Sequence, residues 1–296
     1  MSAAPSLPVV LLSLGSDDDA LDACLAALDT GTPPGTRVWL ADDAQAGPRG
    51  TAIVERWLAH TPLQAHYTRS TRPVGEAAHL AEMLIACDEA DVLILSADAQ
   101  PLPGWAAQLV ACAARDPAIA TATPWSNAGE TVAWPRIGEI GPLPDEPARL
   151  ARAAASLPPH HPELPAAVGH ALFLRGRARV RAGGLDGASF ATVYAAIADL
   201  SLRMAGLGWR NVLCETAFVA RPGEGAATGD DLDLLAARWP AWQARLARFL
   251  MDDPLHTARL ALAEACAGIP TPWPQQDLFA AGARAGDAHA GDAAGP

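Results

Sequence analysis

Residues 8–14 read PVVLLSL, and residues 37–43 read RVWLADD. The first run is almost entirely apolar, which is the pattern of a strand buried on both faces of a parallel sheet, and the second predicts a strand that ends at two aspartates. Between them, residues 20–28 have the spacing of a helix that stops near Gly31 and Pro33. Together these segments form one βαβ unit, which predicts an α/β fold.

The same alternation continues along the chain as far as residue 95. Helical patterns cover residues 51–58 and 76–87, and strand patterns cover residues 64–67 and 92–95. We therefore expect an open, doubly wound sheet with helices packed against it.

Acidic residues follow two of the predicted strands. Asp42 and Asp43 end the second strand, and Asp98 follows the strand at 92–95. Ligands of open α/β sheets bind outside the carboxyl ends of the strands, so the three carboxylates are expected to converge in one pocket. The alternative is that each is an ordinary turn residue, since Asp is common where a strand ends.

The middle of the chain loses this regularity. From residue 123 to residue 165 the sequence is rich in Pro, and we interpret it as loops with one helix near residues 148–155. The α/β pattern then resumes, with strands predicted at 167–175 and 211–219 on either side of a helix at 193–207.

The last part of the chain predicts helices and then a tail. Helical segments at residues 232–251 and 254–266 carry an apolar stripe, which is expected to pack on the domain and not on a membrane. We expect an α/β domain over residues 1–225, a helical extension over 226–279, and a disordered Ala/Gly/Asp-rich tail over 280–296.

The charge and the cysteines limit the partners and the compartment. The formal net charge is -12, and no run of Lys or Arg offsets it, so nucleic acid is not an expected partner. The cysteines lie far apart in sequence, which argues against a zinc site and a disulfide framework and favours a reducing, cytoplasmic location. They are Cys24, Cys87, Cys112, Cys214 and Cys266.

No segment has the character of a membrane anchor. Residues 1–14 have no basic leader and run into the acidic residues 17–19, so we interpret them as a strand and not as a signal peptide. No window approaches the roughly 18 to 20 apolar residues of a membrane span. We expect no transmembrane segment, while association with a membrane surface stays open.

Several short motifs occur in order along residues 8–224. They are Asp42-Asp43-Ala44; Ser96-Ala97-Asp98 followed by Pro101, Pro103, Gly104 and Trp105; Thr123-Pro124-Trp125-Ser126-Asn127; Leu164-Pro165-Ala166-Ala167-Val168-Gly169; and Asp199-Leu200-Ser201-Leu202-Arg203 followed by Gly208-Trp209-Arg210-Asn211. In this order and spacing they resemble the family-2 glycosyltransferases, in particular the branch that builds bacterial surface polysaccharides. The resemblance implies a GT-A-type fold, an open, mixed, Rossmann-like sheet flanked by helices.

The resemblance also implies a reaction and the residues that serve it. It implies transfer of a hexose or deoxyhexose from a nucleotide-sugar donor to a saccharide or lipid-linked acceptor in surface glycan synthesis. Asp42 and Asp43 would hold the base and ribose of the donor, and Asp98 would bind the donor through Mg²⁺ or Mn²⁺, cations that prefer carboxylate oxygens.

The chain departs from the family pattern at three places. Ser96 stands where the Asp-x-Asp motif begins, and Arg221 stands where a late metal-binding His often lies. Arg221 cannot coordinate a cation but could itself neutralise a diphosphate. The Glu/Asp pair that supplies the family's base falls on Ala196 and Ile197, neither of which accepts a proton.

These departures leave the base unassigned. Asp199 is retained, and the resemblance gives it a weak catalytic role, since that position more often holds its helix in place. Possible replacement bases are Glu215, Glu224 and Asp186. A second hypothesis is therefore a catalytically degenerate domain that acts as a binding or scaffold partner of active transferases.

Two further patterns are weaker. His160, His161 and His170 could suggest a metal cluster, but two of them lie in a Pro-rich loop without ligand spacing, and surface histidines are favoured. A nicotinamide-dependent dehydrogenase is set aside, because residues 15–19 after the first strand read GSDDD, without the glycine pattern and with repulsive charge.

Overall fold

The computed structural model of the chain describes residues 7–223, 225 and 227–270. The strands of this part are β1 (Val9–Leu14), β2 (Arg37–Asp42), β3 (Gln64–Arg69), β4 (Val92–Ser96), β5 (Gln100–Pro101), β6 (Ile119–Trp125), β7 (Ala171–Leu174) and β8 (Arg210–Ala220). The helices are α1 (Asp18–Gly31), α2 (Pro48–Leu58), α3 (Glu76–Ala86), α4 (Trp105–Arg115), α5 (Pro147–Ala155), α6 (Gly176–Arg181), α7 (Val193–Gly206), α8 (Gly229–Arg238), α9 (Trp242–Asp252) and α10 (His256–Gly268). The tail expected to be disordered, residues 280–296, lies outside the described residues.

These strands form one mixed sheet in the order β3-β2-β1-β4-β7-β6-β8-β5. The adjacent strands β3, β2, β1 and β4 all run parallel to one another. Strand β7 is antiparallel to both β4 and β6. Strand β8 is parallel to β6 and antiparallel to β5. The expected open, mixed sheet flanked by helices, of GT-A type, is confirmed.

Strand β1 lies in the middle of three layers, as its apolar sequence predicts. Leu12 packs on one face of the sheet in the cluster that contains helices α1 and α4, and Leu11 packs on the other face with α3 and α7. Both leucines are fully buried, and such burial stabilises the fold by about 1.5–3 kcal/mol for each side chain.

The prediction of an irregular segment from residue 123 onward is wrong for the first residues of that segment. Residues 119–125 form β6, which is buried along its whole length, and the helix α4 precedes it. The β6 sequence, IATATPW, has no apolar run that marks a buried strand. A buried hydroxyl of this strand is paired inside the protein: the Thr121 hydroxyl donates a hydrogen bond to Asn211 Oδ1 at 2.8 Å.

The C-terminal helices pack on the α/β domain, as their apolar stripe predicts. Trp242 of α9 is buried against α7, and Leu262 of α10 is buried in the cluster that includes Trp125. The guanidinium of Arg259 is also buried, and it donates hydrogen bonds to the carbonyl oxygens of Ala133 at 2.7 Å and Thr131 at 2.9 Å. Among the described residues, no helix combines the length and the apolar character that crossing a bilayer requires.

Candidate functional site

The carboxyl ends of β1, β2 and β4 lie at one edge of the sheet. In the strand register, Leu14 is opposite Asp42, and Ser13 is opposite Ser96. A cavity of about 320 Å³, here called the main cavity, opens at this edge. Its walls are the turn after β1, the end of β4 and residues from more distant segments, namely Glu76, Gly169, Val193 and Arg221.

A smaller space of about 120 Å³, here called the side cavity, adjoins the main cavity. The two share five lining residues, which are Glu76, Ser96, Gly169, Val193 and Arg221. The side cavity is further lined by Val168, His170, Tyr194 and Gly225. The main and side cavities together form one cleft, with Ser96 and Arg221 at their junction.

Arg221 and Asp98 form an ion pair in this cleft. Arg221 donates to Asp98 Oδ2 from Nη2 at 2.7 Å and from Nε at 3.2 Å, and Ser96 Oγ donates to Oδ1 of the same carboxylate. The Arg221 side chain is 10% exposed and that of Asp98 is 31% exposed. Asp98 and Arg221, two of the four residues expected to bind the donor, are therefore together, and both line the main cavity.

The backbone of Arg221 is held by Asn127, a residue of the motif at 123–127. The N–H of Arg221 donates to Asn127 Oδ1 at 2.9 Å, and Asn127 Nδ2 donates to the Arg221 carbonyl at 2.8 Å. The Asn127 amide thus fixes the position of the Arg221 backbone, from which the side chain with the guanidinium extends into the cleft.

Asp42 lies at the expected edge of the sheet, but its carboxylate is fully buried. It accepts hydrogen bonds from the N–H groups of Gln45 at 2.8 Å and Ala46 at 3.1 Å and from the Tyr67 hydroxyl at 2.8 Å, and Arg69 is 3.1 Å away. Burial and the hydrogen bond to Asp42 raise the pKa of Tyr67. Asp42 is absent from the lining of the main and side cavities.

Asp43 is likewise buried and engaged by backbone groups. Its carboxylate accepts from the N–H of Val74 at 2.8 Å and 3.0 Å and from that of Gly75 at 2.8 Å. Of the three aspartates expected to converge, only Asp98 lines the main cavity. The carboxylates of Asp42 and Asp43 instead satisfy the N–H donors of nearby turns, and neither residue lines the main or side cavity.

Asp199 is buried within α7 and does not line the main or the side cavity. Its carboxylate accepts from Arg203 Nε at 2.8 Å and from Trp239 Nε1 at 3.0 Å, which ties α7 to the end of α8. The catalytic role implied for Asp199 stays a prediction, and no cleft contact supports it. The neighbouring Ala196 and Ile197 are buried in the core.

The possible replacement bases lie elsewhere. Glu215 is buried, and its carboxylate accepts from the N–H groups of His160 and His161 at 2.9 Å. Asp186 pairs with Arg238 at 2.8 Å. Neither residue lines the main or side cavity, and Glu224 lies outside the described residues.

His170, which in the sequence is only a member of a possible histidine cluster, is a residue of the cleft. The expectation of surface histidines is wrong for His161 and His170, because both are buried. Within the described residues neither ring nitrogen of His170 has a hydrogen-bond partner, although the residue lines the side cavity. Burial, reinforced by the positive charge of Arg221, lowers the pKa of His170 to about 3, so the imidazole is neutral.

The cleft does not supply a protein cage for a divalent cation. Asp98, the implied ligand of Mg²⁺ or Mn²⁺, is engaged by Arg221 and Ser96. Over the described part of the chain, no group of three or more His, Cys, Asp or Glu side chains could hold a metal ion. These residues do not fit a cation held by side chains alone, and the positive group present beside Asp98 is Arg221.

Two solved structures are similar to this fold. GalNAc-T7, solved with UDP, GalNAc and Mn²⁺, superposes with a TM-score of 0.59 at 12% identity, over 88% of this chain and 55% of its own. This chain thus spans about half the length of GalNAc-T7. The mannosyltransferase PcManGT from Pyrobaculum calidifontis, in complex with GDP-Man and Mn²⁺, has a TM-score of 0.55 at 18% identity, over 95% of this chain and 82% of its own. At these identities the likeness concerns the fold.

The sequence itself matches a family. The family model described as glycosyl transferase family 2 matches residues 16–167, which run from the turn after β1 to the segment before β7. A comparison with curated proteins gave no significant match. Because the family match extends over more than half of the chain and includes the Ser96-Ala97-Asp98 segment of the cleft, the protein belongs to glycosyl transferase family 2.

Proposed function

We propose that this protein transfers a hexose or deoxyhexose from a nucleoside diphosphate sugar to a hydroxyl group of a saccharide or lipid-linked acceptor in surface glycan synthesis. The observation that carries the proposal is the Arg221–Asp98 pair inside a cavity of about 320 Å³ at the carboxyl edge of the sheet. This is the place where open α/β sheets bind ligands, and the volume is in the range of small-molecule sites.

Arg221 supplies the charge that the reaction needs. Breaking the bond between the sugar and the diphosphate develops negative charge on the departing group, and a fixed cation stabilises that charge. A guanidinium stays protonated and binds two phosphate oxygens at once. Asp98 and Asn127 hold Arg221 in place, so the cation is oriented before the donor binds.

We assign Asp42 and Asp43 an indirect part in donor binding. The resemblance places the base and ribose of the donor beside them, whereas their carboxylates hold the turns at residues 45–46 and 74–75. In the proposal these turns form the wall beside the nucleoside, and the two aspartates order that wall.

A divalent cation would compete with Arg221 for Asp98, so the proposal assigns neutralisation of the diphosphate to Arg221. The reaction is placed in the cytoplasm, where cysteines stay reduced, because the five cysteines of the chain are all free.

Titration calorimetry of the full chain tests the proposal. UDP, GDP and dTDP, and their sugar conjugates, are titrated into the protein in Mn²⁺ and, separately, in EDTA. We expect binding of at least one nucleoside diphosphate and release of that diphosphate from the matching sugar donor. If no donor binds in either condition, the transferase proposal is wrong and the scaffold hypothesis replaces it.

A further inference from the structure

The proposed reaction lacks a base at the position where the family has one. Transfer to a hydroxyl requires a group that takes the hydroxyl proton, and Ala196 and Ile197 are apolar and buried. Asp199, Glu215 and Asp186 lie outside the cleft lining, and Glu224 lies outside the described residues. The candidates for the base are therefore the carboxylates that line the cleft within the described chain.

Among the described residues, three carboxylates line the cleft, and they differ in what they contact. Asp98 is engaged by Arg221 and Ser96. Asp17 lines only the main cavity and caps α1, accepting from the N–H of Ala20 at 3.0 Å. Glu76 lines both cavities, which places it where the two join.

The position of Glu76 is set from two sides. Its Oε1 accepts a hydrogen bond from the N–H of Val193 at 2.9 Å, which joins the first residue of α3 to the first residue of α7. On the chain just before it, Asp43 holds the N–H groups of Val74 and Gly75. Gly75 has a φ of +99°, a conformation that favours glycine, and this turn directs the chain into α3.

The side cavity has the polar character that a sugar hydroxyl requires. Neutral His170 lies there with both ring nitrogens unpartnered within the described chain, so it can donate one hydrogen bond and accept another. Glu76 and Arg221 add an acceptor and a donor on the walls of the same space. A buried polar group without a partner is costly, and a bound hydroxyl would satisfy it.

We infer that the side cavity receives the reacting hydroxyl of the acceptor and that Glu76 is the general base. This inference rests on the proposed function. The Glu76 carboxylate takes the hydroxyl proton while the acceptor oxygen forms a bond to the anomeric carbon of the donor sugar. The bond from that carbon to the diphosphate oxygen breaks, its electron pair leaves with the nucleoside diphosphate beside Arg221, and Glu76 later releases the proton to water.

The variant Glu76→Gln tests the inference because it separates the two roles of the residue. Glutamine keeps a carbonyl oxygen that can accept from Val193 N–H but cannot take a proton. We expect kcat for release of nucleoside diphosphate, with simple pyranosides or water as acceptor, to fall roughly a hundred- to ten-thousandfold, the usual contribution of a general base. Donor affinity by calorimetry should be unchanged.

Glu82→Gln is the matched control, because Glu82 is an exposed residue of the same helix outside the cleft. Glu76→Asp is the second variant: it keeps a base and shortens its reach, and it should retain more activity than Glu76→Gln. If Glu76→Gln turns over as fast as Glu82→Gln, Glu76 is not the base, although donor binding would still support the proposed function. If the wild type neither binds nor cleaves any donor, both proposals fail.

Discussion

The Arg221 guanidinium and the Asp98 carboxylate meet through two contacts to one oxygen, at 2.7 Å from Nη2 and 3.2 Å from Nε. The other carboxylate oxygen accepts from Ser96. This arrangement joins Asp98, of the Ser96-Ala97-Asp98 segment, and Arg221 in a single interaction. Asp98 thereby orients a cation that belongs to the protein, and this relationship leads to the first two predictions.

Replacing Arg221 with Gln should weaken binding of the nucleoside diphosphate roughly ten- to hundredfold, because a charge-assisted hydrogen bond contributes about 1.5–3 kcal/mol. Calorimetry on the diphosphate that binds the wild type measures this. Arg248→Gln is the control, since the Arg248 side chain is 81% exposed and lies outside the main cavity. Equal affinities in the two variants would mean that Arg221 does not contact the donor.

Removal of divalent metal should leave the donor affinity of the wild type unchanged. Asp98→Asn should lower that affinity equally in Mn²⁺ and in EDTA, because it loosens Arg221 in both conditions. The measurement is a pair of titrations for each protein. Loss of wild-type binding in EDTA, with Asp98→Asn insensitive to Mn²⁺, would instead identify Asp98 as a metal ligand.

The buried His170 should make the protein less stable in mild acid. Its pKa is about 3 in the folded chain and about 6.5 when unfolded, so the unfolded state binds a proton that the folded state excludes as the pH falls below 6.5. Stability is therefore complete above pH ~6.5 and is lost toward pH ~3, by on the order of 2–3 kcal/mol between pH 6.5 and 4.5.

Urea unfolding at several pH values measures this loss, and His170→Gln should show less of it than the wild type. His256→Gln is the control, since the His256 side chain is 68% exposed. Parallel pH profiles for the wild type and His170→Gln would show that His170 titrates normally in the folded protein.

Asp199→Asn should lower the free energy of unfolding by about 1–3 kcal/mol without a large change in kcat, because the carboxylate holds Arg203 and Trp239 in the packing of α7. Urea unfolding and turnover below the unfolding transition measure the two effects. Asp252→Asn, in an exposed pair with Arg248, is the control. A fully folded Asp199→Asn that had lost its activity would support the catalytic role that the resemblance implies.

The local pattern was sufficient for the sheet and for the edge that carries the cleft. The apolar run of β1 predicted a strand buried on both faces. Asp42, the last residue of β2, and Asp98, which follows β4, lie at the same edge of the sheet as expected. These features depend on side-chain periodicity along one segment, which a sequence displays directly. Strand β6 was missed because its small and hydroxylated residues are buried only through partners on other strands, such as Asn211.

The sequence by itself determined the α/β class, the order of the family motifs, and the absence of a carboxylate at residues 196 and 197. Only the tertiary structure decided which polar groups share the cleft. Asp42 binds the turn that follows it, and Asp43 binds the distant turn at residues 74–75. Arg221, Glu76 and His170 come from three separate segments and line the same space. The physical reason is that a polar side chain is directed by the donor or charge that pairs with it. For Asp43, Glu76 and Arg221 that partner lies on a distant segment whose position exists only after folding.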